Sequence, residues 1–172
     1  MQAVFTGAPG AGKTTALNAL ENATFSGILE TAREFLGSDD GLKMRDADPE
    51  GFAKACFEID LKKLTSAKLS ERPMIFDRGL GDALGYFFLT GKSVPERLRD
   101  LATGNRYSGP VFDFPPWREI YCQDNLRTQS FVEAEESRNA VVSAWTELGY
   151  RPISVPLTDI EARRSWIKKQ LV

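Results

Sequence analysis

The first apolar run of the chain, Ala3-Val4-Phe5, is too short for a helix and stops at a glycine-rich turn, after which residues 15–20 read as helix. Residues 25–29 repeat the short-strand pattern, which ends at Glu30, and Thr31-Ala32-Arg33-Glu34-Phe35-Leu36 follows as a helical stretch closed by Gly37. Residues 38–49 are polar, contain glycine and read as a loop. Over 50–70, Phe57, Leu61 and Leu64 recur at helical spacing opposite Glu58, Lys62 and Lys63, predicting a long amphipathic helix.

Met74-Ile75-Phe76 is a buried strand running into Asp77, with Pro73 at its start, where a missing ladder donor is tolerated. Helices are then predicted over 84–89 and over 94–102, the latter closed near Gly104. Val111-Phe112 and Phe114 form a fourth strand halted by Pro115-Pro116. A helix over 131–148 ends at Gly149, a last strand covers 153–155, and a closing helix covers 159–171, whose Lys168 and Lys169 suit a helix C-terminus. Strands that alternate with helices in this way predict an α/β fold, a parallel sheet with helices on both faces that binds its ligand at the carboxyl ends of the strands.

With 172 residues, 42% of them apolar and 27% charged, the chain suits one domain over 1–172 with a real core. A net charge of −2 without clustered Lys or Arg offers no general attraction to nucleic acid or anionic membrane, so no nucleic-acid partner is expected. No apolar stretch approaches the roughly 20 residues of a membrane span, and the immediate entry into a strand argues against a signal peptide, so a cytoplasmic location is expected. Cys56 and Cys122 lack paired or metal-type spacing and read as reduced thiols. The sequence has no histidine, which removes Ser-His and Cys-His nucleophiles, imidazole bases and His-containing zinc sites. Chemistry is left to carboxylates, arginines, a lysine and a bound metal.

Gly7-Ala8-Pro9-Gly10-Ala11-Gly12-Lys13-Thr14 fits G-x-x-x-x-G-K-[ST] and lies between a strand and a helix, where successive backbone N–H groups and a positive helix end converge on one spot. This loop, with Thr15, is expected to hold a nucleoside triphosphate: Lys13 on the β- and γ-phosphates, Thr14 on Mg²⁺. Asp77 has the placement of a Walker B carboxylate for the same Mg²⁺, or else caps the next helix. Arg78 is positioned to engage substrate or phosphate, or else forms a surface ion pair. Glu30 ends the second strand on the rim shared by the loop and Asp77, as a base or substrate binder or as a structural acid; Arg33, one turn on, is able to face the same cleft. After the fourth strand, a segment over about 115–130 combines Trp117 with Arg118, Asp124 and Arg127. It reads either as a lid that brings guanidinium groups over bound nucleotide or as packing anchors with solvated arginines.

Gly7 to Thr15, Glu30-Thr31-Ala32-Arg33, Asp77-Arg78-Gly79-Leu80 and Pro115-Pro116-Trp117 through Glu133-Ala134 resemble the AAA-domain family of predicted ATPases similar to the kinase domain of ribosylnicotinamide kinases. The resemblance spans nearly the whole chain. It implies a three-layer P-loop fold with a five-stranded parallel sheet of kinase-type order 2-3-1-4-5, and a nucleotide with Mg²⁺. The Pro-Trp segment with Asp124 and Arg127 looks like the lid pattern of ribosylnicotinamide kinases. The leading expectation is transfer of the γ-phosphoryl of ATP to the hydroxyl of a small nucleoside-like acceptor, with Glu30 orienting that hydroxyl and Arg127 covering the transferring group. The other reading is a nucleotide-dependent binding or regulatory module, using ATP or GTP, with slow hydrolysis. Asn-Lys-x-Asp, the usual guanine-selecting element, is absent. Oligomeric state is not readable from the sequence.

Overall fold

In the computed structural model, which describes residues 1–21, 24–121 and 129–171, strand β1 (Gln2–Gly7) lies at the centre of a five-stranded parallel sheet. β3 (Met74–Asp77) flanks it on one side and β4 (Val111–Phe114) on the other, with β2 (Ser26–Ile28) and β5 (Ile153–Ser154) at the edges, giving the order β2-β3-β1-β4-β5. The registers Phe5↔Asp77 and Gly7↔Phe114 bring the carboxyl ends of the three central strands to one rim.

Side chains alternate across a strand, so both faces of β1 are buried by different neighbours. Val4, Phe76 and Val111 face one core with α4 (Pro49–Ala67), α5 (Leu80–Thr90), α6 (Glu96–Gly104) and α7 (Phe131–Glu147). Ala3, Phe5, Ile75 and Phe112 face a second core with α1 (Lys13–Leu20) and α8 (Ile160–Gln170). These two apolar layers make the three-layer α/β arrangement.

Two expectations need correction. Residues 38–49 do not form a loop: α3 (Asp39–Ala47) is a helix capped by Ser38, whose hydroxyl accepts from Gly41 N at 3.1 Å, with Asp39 and Asp40 in its first turn. Its only buried residue is Gly41, pressed against the Phe35 carbonyl, so the apolar periodicity that marks other helices is missing. α3 follows α2 (Thr31–Leu36) directly. The helix predicted from 84 starts at Leu80, because its glycines are helix–helix contact points. A Cβ on Gly81 would lie 2.4 Å from Trp145, and one on Gly85 2.6 Å from Val141. Trp145, fully buried on α7, occupies the room those glycines leave.

Candidate nucleotide and acceptor site

β1 ends in Gly7 at φ +112, where a Cβ would meet the Phe114 carbonyl at 2.4 Å, so only glycine lets the chain leave the sheet here. Ala8 N donates to that carbonyl at 2.9 Å, and the loop then turns through Gly10 and Gly12, both at positive φ, into α1. Lys13 is 5% exposed and donates from Nζ to the Ala8 carbonyl at 2.7 Å, closing the loop on itself. Burial, then the Arg78 guanidinium, pull its ammonium down to about 8, against the carboxylates of Asp77, Glu30 and Asp82.

Asp77 closes β3 beside the loop. Its Oδ2 accepts from Thr14 Oγ1 at 2.5 Å, while its buried Oδ1 has no hydrogen-bond partner among the described residues. Burial pushes this carboxyl above the usual range, although Lys13 opposes the shift. An orphaned carboxylate oxygen next to a hydroxyl is a hard-oxygen donor set that fits Mg²⁺. Asp77 does not cap α5, since Gly79 stands at that helix's N-terminus and Asp82 accepts from Gly79 N at 3.1 Å.

Arg78 is the only non-glycine residue at positive φ among the described residues, at φ 69. Such a backbone costs about 1–3 kcal/mol and persists where the surroundings hold it. Here they do, since Arg78 donates to Glu30 Oε1 at 2.9 Å, to Asp82 Oδ1 at 2.9 Å and to the Gly7 carbonyl at 3.3 Å. With 15% of its side chain exposed, it is a half-buried tie between three elements, not a surface ion pair. Burial alone would raise the Glu30 carboxyl, but Arg78, Lys13 and Arg33 outweigh it and hold it below the usual range. Glu30 is therefore ionised on the rim, suited to accepting a hydrogen bond from a hydroxyl.

A continuous cavity of about 1070 Å³ joins these groups. Pro9, Gly10, Gly12, Lys13, Thr14 and Thr15 line it, together with Glu30, Arg33, Arg78 and Trp117. Gly7, Ala8 and Ala11 are buried beneath the loop surface. Arg118 is not among the lining residues: its guanidinium lies 4.2 Å from the Phe131 ring centre, a cation–π contact that turns it away from the loop. Asp124 and Arg127 lie outside the described residues.

Three site residues escaped the sequence reading. Asp82 accepts from Thr6, Arg78, Gly79 N and Trp145, and its place four residues after Arg78 was the available signal. Arg163 of α8 donates to the Ala11 carbonyl at 2.9 Å and to the Pro156 carbonyl at 3.0 Å, its guanidinium 4.6 Å from the Trp117 ring centre; no local pattern announces that long-range contact. Asp60 occupies the apolar face of α4, in step with Cys56, Phe57 and Leu64. It lines the cavity and accepts from Thr31 Oγ1 at 2.5 Å.

Burial pushes the Asp60 carboxyl up to about 7, helped by Asp82 and Glu30 and opposed by the Thr31 hydrogen bond and Lys63. The folded chain thus holds a proton that the unfolded chain releases near pH 4 (roughly the free carboxyl value). Stability from this group is complete below about pH 4 and is lost as the pH rises towards 7. Asp60→Asn is expected to unfold about 3 °C or more above the unaltered protein at pH 8 and at the same temperature near pH 4. Equal shifts at both pH values in thermal melts would refute this assignment.

Sheet order, glycine-rich loop and rim carboxylates together define a P-loop α/β fold. The chain belongs to the AAA domain family, whose profile matches residues 2–163. No protein of curated function matches it in sequence. Among solved structures, it is similar to a deoxyadenosine kinase from M. mycoides with bound dATP at 15% identity and TM-score 0.65, with 99% of each chain covered. A thymidylate kinase from Ehrlichia chaffeensis is similar at 14% identity and TM-score 0.64, covering 100% of this chain and 98% of the other. At these identities the likeness is one of fold. Among the described residues no helix is long and apolar enough to cross a membrane.

Proposed function

We propose that this protein is a small-molecule kinase, moving the γ-phosphoryl of ATP to a hydroxyl of a nucleoside-like acceptor. The observation that carries the proposal is the continuity of one cavity from the glycine-rich loop, past Glu30 and Arg78, into a chamber between α2, α4 and α5. A hydrolase needs no such second chamber. The likeness of Asp77-Arg78-Gly79-Leu80 and of the Pro-Trp segment to ribosylnicotinamide kinases supports an acceptor of nucleoside type.

In this reading the loop N–H groups and Lys13 bind the phosphates, Thr14 and Asp77 hold Mg²⁺, and Trp117 with Arg163 flanks the nucleotide. The metal supplies charge neutralisation on the phosphate oxygens when bound. Glu30 accepts the hydrogen bond of the acceptor hydroxyl and aims its oxygen along the transfer line. The new O–P bond forms as the bond to the β-phosphate oxygen breaks, ADP leaves, and the hydroxyl proton passes to the Glu30 carboxylate and then to solvent. Arg78 keeps Glu30 ionised and fixed. Arg33 contacts the acceptor.

The test is acceptor-dependent ADP release with Mg²⁺ across a panel of nucleosides and vitamin-like alcohols. Stimulation by at least one acceptor of about tenfold over background is expected. No stimulation by any of them, together with preferential binding of GTP, would replace the kinase with a nucleotide-dependent binding module.

A further inference from the structure

Beyond Glu30, the cavity is walled by Leu36, Phe52, Ala53, Cys56, Tyr86 and Leu89. Phe52 is braced by Phe35, the two rings stacked at 5.3 Å and 4°. Apolar and bounded by aromatic rings, this chamber suits a planar ring. A carboxyl group interrupts the apolar wall. Asp60, only 6% exposed, reaches the cavity from α4. Its Oδ1 accepts from the Thr31 hydroxyl at 2.5 Å.

Buried carboxyl oxygens are ordinarily paired, and a buried acid costs stability that an amide at the same place would not. An asparagine in this position would keep the Thr31 bond at lower cost, so the carboxyl is not explained by its bond to Thr31. The nearby cations are engaged with other groups: Arg78 with Glu30 and Asp82, and Arg45 with Asp46 at 2.8 Å. Lys63, on the same helix, is paired with Glu34. Burial and the neighbouring acids, which push Asp60 up to about 7, fit a group that awaits a donor from a ligand.

We propose that Asp60 is the residue that selects the acceptor, its Oδ2 taking a hydrogen bond from an amino group on the ring of a nucleoside. The inference rests on the kinase reading for the identity of the chamber, but its chemistry is separable from phosphoryl transfer. At a pH above the value of about 7 to which Asp60 is pushed, where its carboxyl is ionised, a site built to hydrogen-bond a ligand N–H discriminates strongly against an analogue that presents a carbonyl there, because two acceptors then face each other without a proton.

Adenosine against inosine and cytidine against uridine are the probes, since each pair exchanges an amino group for a carbonyl. Binding is measured by calorimetry and phosphorylation by product detection, both near pH 9 where Asp60 is ionised, in the unaltered protein, Asp60→Asn and Asp60→Leu. At least one amino nucleoside is expected to bind tenfold or more tighter than its carbonyl partner. In Asp60→Asn, whose amide is able to donate to a carbonyl, that ratio should fall at least tenfold, through KM with kcat nearly kept. Asp60→Leu should lose discrimination altogether. Equal binding within both pairs, a ratio untouched by Asp60→Asn, or no nucleoside binding would each overturn the inference. Amino-selective, Asp60-dependent binding without phosphorylation would uphold it while removing the kinase reading. Phosphorylation indifferent to Asp60 would do the reverse.

Discussion

Lys13→Ala is expected to lower nucleotide-dependent turnover by about 10³-fold while the circular dichroism spectrum is unchanged. Among the described residues that line the cavity, Lys13 carries the only side-chain ammonium, and in the structure it donates to the Ala8 carbonyl, a bond that bound phosphates would replace. Its burial, which holds its pKa to about 8, means that the folded chain already bears the cost of desolvating this cation. Losing it therefore relieves the fold even as it strips the phosphates of a partner. Asp77 and Glu30, whose carboxyls feel Lys13, would each lose a compensating charge. Calorimetric titration of ATP with Mg²⁺ checks the claim directly. Undiminished affinity in the variant would remove the basis of the nucleotide site.

Asp82→Ala carries the largest expected cost to stability, about 3–5 kcal/mol. Asp82 accepts from Thr6 Oγ1 at 2.7 Å, Arg78 Nη1 at 2.9 Å, Trp145 Nε1 at 3.0 Å and Gly79 N at 3.1 Å. Truncation leaves the Trp145 N–H in the core without its acceptor and strips Arg78 of one of its two carboxylates. The strained backbone of Arg78 would then lose part of what holds it, and Glu30 would lose its fixed position on the rim. Denaturant melts should show the loss, with turnover falling in parallel. Asp82→Asn, which keeps the shape and gives up the charge, should fall between. A loss below about 1 kcal/mol for Asp82→Ala would show that these four hydrogen bonds are not a coupled network.

The two carboxylates that matter most to these expectations were differently legible. Asp77 ends a run of buried apolar residues, and a strand that ends in an acid on the rim beside a phosphate loop is a local pattern. Asp82 lies only five residues later, but its importance comes from Thr6 and Trp145, which are remote in sequence and meet it only when α5 and α7 press together at Gly81 and Gly85. Asp60 escaped the sequence reading, since an acid on an apolar helical face gives no sign of the cavity it lines.

By itself, the sequence determined the alternation of short buried strands and helices, the glycine-rich turn at Gly7 to Thr14 between strand and helix, the acid that ends the third strand, and the exclusion of histidine chemistry. Those are properties of adjacent residues, governed by backbone geometry and side-chain period. Only the tertiary structure decided that Arg78 bridges Glu30, Asp82 and the Gly7 carbonyl, that Arg118 turns to Phe131, and that Asp60 faces a chamber continuous with the loop. Partners of this kind are selected by packing between elements far apart in the chain, where a side chain's neighbours, and so its charge state and its chemistry, are set by which faces the core brings together.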